Sequence, residues 1–292
     1  MLKGIYPPLT TPFVRDEVAY IKLIENLKKY NQKDFSGYVV LGSNGESVFL
    51  TKSEKLKLIS TLREHSSNKT IIAGTGFESI RDTIDLTNES AQIGADYALI
   101  ITPSFFKSSM SHQAFINYYT AVADSVSIPV IIYNVTKFTN VNLRIETIVR
   151  LAEHPNIIGI KNSTENIAEI NSTIYNTPDD FYTLIGTGSV LLNGLSIGAV
   201  GGVLALANIA PDECIKIFTL FNEGKQKEAR EIQQRMLSVN KAITATYGIA
   251  GLKASMGLLG YYGGQPRKPL QPLTSSNMKK IKTILVKAKL LK

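Results

Sequence analysis

The chain has 292 residues, of which 44% are hydrophobic and 19% charged, with one cysteine and a net charge of +8. That length allows one large core in one or two domains, the balance is that of a soluble enzyme, and a single cysteine (Cys214, read as helix packing) excludes an internal disulfide and suits a reducing compartment. The positive excess is local: Lys279, Lys280, Lys282, Lys287, Lys289 and Lys292 interleave with Met278, Ile281, Ile284, Leu285 and Ala288 at helical spacing, a solvated helix face rather than a nucleic-acid surface. No apolar stretch is long enough to span a bilayer and the first strand begins near Gly4, so the expectation is a cytoplasmic protein with no membrane partner.

In chain order, Gly4 to Thr10 (GIYPPLT) reads as a strand whose two prolines demand irregular pairing. Ala19 to Gln32 repeats apolar residues at helical spacing. Gly37 to Leu41 is a second strand, and Thr51 with Glu54 forms a capping box that opens a helix to His65. Strands follow at Thr70 to Ala73, Tyr97 to Ile101, Val130 to Asn134, Ile157 to Lys161, Tyr182 to Ile185 and Gly202 to Ala207. Between them lie helices at Ile80 to Ile93, Ser111 to Ser125, Arg144 to Glu153, Asn166 to Asn176 and Val190 to Ile197. After Pro211 the pattern is wholly helical: Asp212 to Asn222, Lys225 to about Ala245, Leu252 to Leu259 and Asn277 to Leu290.

Strand and helix alternate eight times, and the strands are apolar throughout, as parallel strands buried on both faces should be. The predicted architecture is a (β/α)₈ TIM barrel over residues 1–223 with a small C-terminal helical appendix over 224–292. A doubly wound sheet would show a glycine-rich phosphate turn after the first strand, and Thr11-Pro12-Phe13 is nothing of the kind.

Barrel active sites lie at the carboxyl ends of the strands, which narrows the candidates to Thr10, Thr11, Ser43, Asn44, Thr102, Tyr133, Lys161, Gly186 and Val203. They offer one amine, one phenol and several hydroxyls. His65, His112 and His154 fall at helix ends, so neither a metal site nor a histidine base is expected, and no dinucleotide or phosphate loop is present. The central stretch is Ile157-Ile158-Gly159-Ile160-Lys161, an apolar run ending on a lysine. A strand-end lysine can simply snorkel to water. With a tyrosine one strand earlier, however, it suits imine chemistry, the amine attacking a ketone and the phenol shuttling protons. The Ser43-Asn44-Gly45 turn, just before a helix, can hold a carboxylate on its N–H groups and hydroxyl.

The motifs GIYPPLTTPF (Gly4 to Phe13), GYVVLGSNGE (Gly37 to Glu46), PVIIYN (Pro129 to Asn134), GIKNS (Gly159 to Ser163) and GAVGGVLALAN (Gly198 to Asn208) resemble the dihydrodipicolinate synthase and N-acetylneuraminate lyase superfamily of pyruvate-dependent class I aldolases. Ser43-Asn44, the GAVGGVLALAN wording and Gly260 to Gly264 are most similar to the 4-hydroxy-2-oxoglutarate aldolases. The resemblance implies a Schiff base on Lys161, a proton-relay phenol at Tyr133, and carboxylate binding by Ser43 and Asn44, with Ser43 joining the relay. It further implies backbone from Gly186 and Val203 in the substrate pocket, no cofactor, a small 2-oxo acid substrate, and a homo-oligomer built as a dimer of dimers. Three departures stand out. Phe105, or Phe106, occupies the place of a tyrosine that a neighbouring subunit commonly supplies; Phe138 stands where the synthases place a carboxylate-binding arginine; Asn162 replaces an acidic residue. Dihydrodipicolinate synthase activity, another 2-keto-3-deoxy acid aldolase, and a non-catalytic keto-acid-binding homologue are the alternatives.

Overall fold

In a computed structural model that describes residues 2–292, eight short apolar runs pair in parallel. They are β1 (Gly4–Tyr6), β2 (Gly37–Val40), β3 (Thr70–Gly74), β4 (Tyr97–Ile101), β5 (Val130–Asn134), β6 (Ile157–Asn162), β7 (Tyr182–Ile185) and β8 (Gly201–Val203). From β2 onward each pairs with the next, and β8 pairs with β1. The last gap, between β1 and β2, closes just past the strand end. There Val39 donates to the Pro7 carbonyl at 3.1 Å and Leu9 donates to the Val39 carbonyl at 2.8 Å. Pro7 and Pro8 have no N–H, so pairing must skip to Leu9. The expected Gly4 to Thr10 strand is therefore a three-residue strand followed by one isolated bridge at Pro8.

Parallel strands need return helices, and these surround the barrel: α1 (Tyr20–Tyr30), α2 (Lys52–His65), α3 (Ile80–Gln92), α4 (His112–Ser125), α5 (Ile145–Ala152), α6 (Ile167–Asn176), α7 (Leu191–Ser196) and α8 (Pro211–Asn222). The Thr51–Glu54 capping box is present at the start of α2. Alternation along the strands sorts the side chains. Tyr6, Val39, Ile72, Leu99, Ile131, Tyr133, Leu184 and Val203 fill the interior, while their neighbours in sequence pack outward against helices. A short antiparallel hairpin, Phe13–Val14 with Glu17–Val18, sits between β1 and α1.

Two further spans differ from expectation. The Gly202 to Ala207 strand ends at Val203 and gives way to a 3₁₀ turn over Ala205–Asn208, held by the Asn208 amide donating to the carbonyls of Ala205 at 3.2 Å and Pro8 at 3.0 Å. The long helix after Lys225 is α9 (Gln226–Lys241), which widens into a π turn (Ala242–Thr246) before α10 (Gly248–Leu258). Glycines at 248 and 251 weaken the helical signal, but Leu252 and Met256 anchor α10 in the core. The chain closes with α11 (Ser275–Lys287), whose Ile281 and Leu285 share a core cluster with Leu27 and Leu58 of the barrel helices and leave the lysines exposed. No helix of the described residues is long and apolar enough to cross a membrane.

Candidate active site

A defect in strand pairing decides which way Lys161 points. Val130 is opposite Ile157, but the next residue, Ile131, is opposite Gly159, so Ile158 is an extra residue in β6. Strict alternation from the outward Ile157 would send Lys161 outward too. The bulge shifts the phase by one, and Lys161 lands opposite the inward Tyr133 and Leu184. At Gly159 the neighbouring strand is too close for a side chain: a Cβ there would stand 2.3 Å from the Tyr182 carbonyl oxygen. The result is a lysine only 4% exposed, its Nζ 3.9 Å from the centroid of the Tyr133 ring.

The Tyr133 hydroxyl reaches the Ser43 hydroxyl at 3.2 Å. Ser43–Gly45 is a single 3₁₀ turn at the end of β2, with Gly45 donating to Gly42 and Glu46 to Ser43. The N–H groups of Ser43 and Asn44, first in the turn, have no acceptor within it. Thr11 ties the turn down, its hydroxyl donating to the Gly45 carbonyl at 2.6 Å. Lys161, Tyr133 and Ser43 thus form a connected chain of amine, phenol and hydroxyl beside a half-buried turn with free donors. Such a set can add an amine to a ketone, move the proton, and hold an adjacent carboxylate.

The model of the dihydrodipicolinate synthetase family matches residues 1–288. The chain belongs to that family. Its members are lyases of the class I aldolase type, and the chain is such an enzyme. It is 34% identical, over 98% of both chains, to a 4-hydroxy-tetrahydrodipicolinate synthase of Archaeoglobus fulgidus. It superposes with a TM-score of 0.94 and 28% identity on dihydrodipicolinate synthase from Aquifex aeolicus, covering 99% of each chain. An Escherichia coli K12 prophage protein of the family, solved in complex with pyruvate, gives a TM-score of 0.94 at 27% identity, again over 99% of each. The Archaeoglobus and Aquifex proteins carry the synthase name and the prophage protein that of the synthase family; none of the three is named a 4-hydroxy-2-oxoglutarate aldolase.

Within the family frame, the remaining expected residues are more dispersed. Asn44 adjoins Ser43 on the turn. Gly186 follows β7, one strand over from Lys161, and its N–H donates to the Asn162 carbonyl at 2.8 Å. Val203 lies two strands over, its side chain buried in the barrel interior and in register with Tyr6. Of the departures, Phe105 and Phe106 are 78% and 68% exposed and touch each other edge to face, on a loop whose Ser104 and Phe105 N–H groups donate to Glu78. Phe138 is exposed on a short helix (Thr136–Thr139), and the Lys137 ammonium beside it donates to the Thr244 carbonyl. Asn162, buried, belongs to a network with Asn134, Asn142 and Glu169 behind the site. The three histidines lie on helices or loops outside the barrel, each with a partner: Thr61, Thr147 and Asp124.

Sequence reasoning missed Glu46, Lys253 and Arg267. The Glu46 carboxylate is buried directly behind the Ser43–Gly45 turn and meets the Lys253 ammonium of α10 at 2.5 Å. Arg267 makes a two-pronged bond to Glu54 at 2.7 and 2.9 Å and donates to the carbonyls of Asp16 and Phe49. The only sequence signal was an acidic residue closing the GSNGE motif.

Proposed function

We propose that this enzyme forms a Schiff base between Lys161 and a 2-oxo acid, with pyruvate or glyoxylate as the released or condensed partner. Tyr133 and Ser43 form the proton relay, Ser43 and Asn44 receive the substrate carboxylate, and Gly186 and Val203 contribute to the pocket wall. The observation that carries this reading is the buried Lys161 amine against the Tyr133 ring, whose hydroxyl is in contact with Ser43. The amine adds to the keto carbon, and the relay carries its proton to the carbonyl oxygen. The carbinolamine then loses water to give the imine. With pyruvate, loss of a methyl proton yields an enamine that adds to an aldehyde carbon, and water hydrolyses the new imine to free the lysine. Run backward, the same steps cleave an aldol. The iminium is itself the electron sink, so the sequence of steps calls for no cofactor.

The relatives' names support condensation of the 4-hydroxy-tetrahydrodipicolinate synthase kind over 4-hydroxy-2-oxoglutarate cleavage. One observation favours the second reading, or another 2-keto-3-deoxy acid aldolase: the loop after β5 presents Phe138 in place of an arginine that could bind a second carboxylate, and the ammonium of the adjoining Lys137 donates to the Thr244 carbonyl. A cytoplasmic location and a dimer of dimers complete the proposal. The test is turnover with pyruvate and a panel of aldehydes with and without a carboxylate, alongside release of pyruvate or glyoxylate from 2-oxo acid aldols. Tyr133→Phe should cut kcat by about 10²–10⁴-fold. Pyruvate capture without turnover on any partner would contradict the proposed reaction.

A further inference from the structure

Glu46 pays twice for its position. It holds a left-handed backbone, φ 56° and ψ 36°, and its side chain is 1% exposed against a Lys253 side chain that is 0% exposed. Non-glycine residues avoid that conformation, and a dry ion pair often gains the fold nothing over apolar residues. Lys253 is further held by donation to the Gln265 carbonyl at 3.0 Å and by the Phe13 ring, 4.4 Å from its Nζ. The second Glu46 oxygen accepts the Arg267 N–H at 2.7 Å. Burial lowers the Lys253 pKa, and the Glu46 charge opposes that shift. So α10 and the loop after it grip one residue: the one that ends the turn carrying Ser43 and Asn44.

We infer that Glu46 and Lys253 are positioning residues, clamping the end of the β2 turn so that the free N–H groups of Ser43 and Asn44 and the Ser43 hydroxyl face the substrate carboxylate beside Lys161. This rests on the Schiff-base reading above and deepens it. The clamp explains why a costly arrangement sits at this spot: without it the Glu46 backbone would relax toward a right-handed or extended conformation and turn the donors away. Thr11 fixes only the Gly45 carbonyl; the orientation of the turn then depends on the following residue.

The test is borohydride trapping of the pyruvate imine across a range of pyruvate concentrations, with thermal melting of the same proteins. The proteins are wild type, Glu46→Gln, Lys253→Met and the double variant. Each single variant should raise the half-saturating pyruvate concentration by about tenfold or more, since an ångström of misplacement can cost up to about 10²-fold. At saturation the adduct should still map to Lys161. The double variant leaves no orphaned charge, so its melting temperature should return to that of wild type while its half-saturation stays raised. If half-saturation returns together with stability, if it moves by less than about twofold in the single variants, or if the double variant does not fold, the pair is structural only and the inference falls. A wild type that traps no pyruvate overturns the Schiff-base reading itself, whereas normal wild-type trapping with unmoved variants overturns the positioning role alone.

Discussion

Lys161 and Tyr133 were legible because each closes an apolar strand with a reactive group, and Ser43 because it opens a turn before a helix. What the sequence could not reveal is the extra residue at Ile158, which alone turns Lys161 inward. Bulges depend on how two strands meet, and neither strand encodes that by itself. Glu46 and Lys253 were hidden for the same reason, coming from opposite ends of the chain. Glu54 gives a residue-scale prediction. Its hydrogen bonds to the Arg267 guanidinium hold its carboxyl below the usual range. A depressed carboxylate contributes stability that is present above its unfolded pKa and lost as pH falls through the folded value. Melting temperature should therefore decline on acidification below about pH 5, and Glu54→Gln should flatten part of that decline, as measured by thermal scans across pH.

At the scale of elements, the eight alternations of strand and helix were readable because parallel strands buried on both faces leave long apolar runs. The irregular closure at Pro7 and Pro8 was signalled by the prolines themselves; the early end of β8 and the π turn after α9 were not. The end of β8 is held by a partner remote in sequence, the Asn208 amide donating to the Pro8 carbonyl. Two predictions belong here. Thr51→Ala removes the side-chain acceptor for the Glu54 N–H at the start of α2 and should cost about 1 kcal/mol in chemical denaturation. Gly159→Ala places a methyl against the Tyr182 carbonyl and should either abolish soluble expression or separate β6 from β7. Circular dichroism and melting would report the change, with pyruvate capture lost in parallel.

For the whole molecule, the C-terminal helices are joined to the barrel by more than chain continuity. Tyr261 stacks on Tyr30 at 4.8 Å between ring centroids, and Tyr262 and Asn26 exchange two hydrogen bonds of 2.8 Å. Core residues of α8 to α11 form one cluster with those of α1 and α2. Cys214, fully buried in this cluster with its thiol pKa raised by desolvation, should stay unreactive toward thiol reagents in the native protein and react at the rate of unfolding in denaturant. The proposed reaction depends on one amine held in this packing, that of Lys161. The most direct test is to incubate the native enzyme with pyruvate, reduce with borohydride, weigh the intact chain and map the modified peptide. One reduced pyruvyl group per chain, located on Lys161 and absent from Lys161→Ala, is the predicted result; no mass increase, or an adduct on any other lysine, would contradict it.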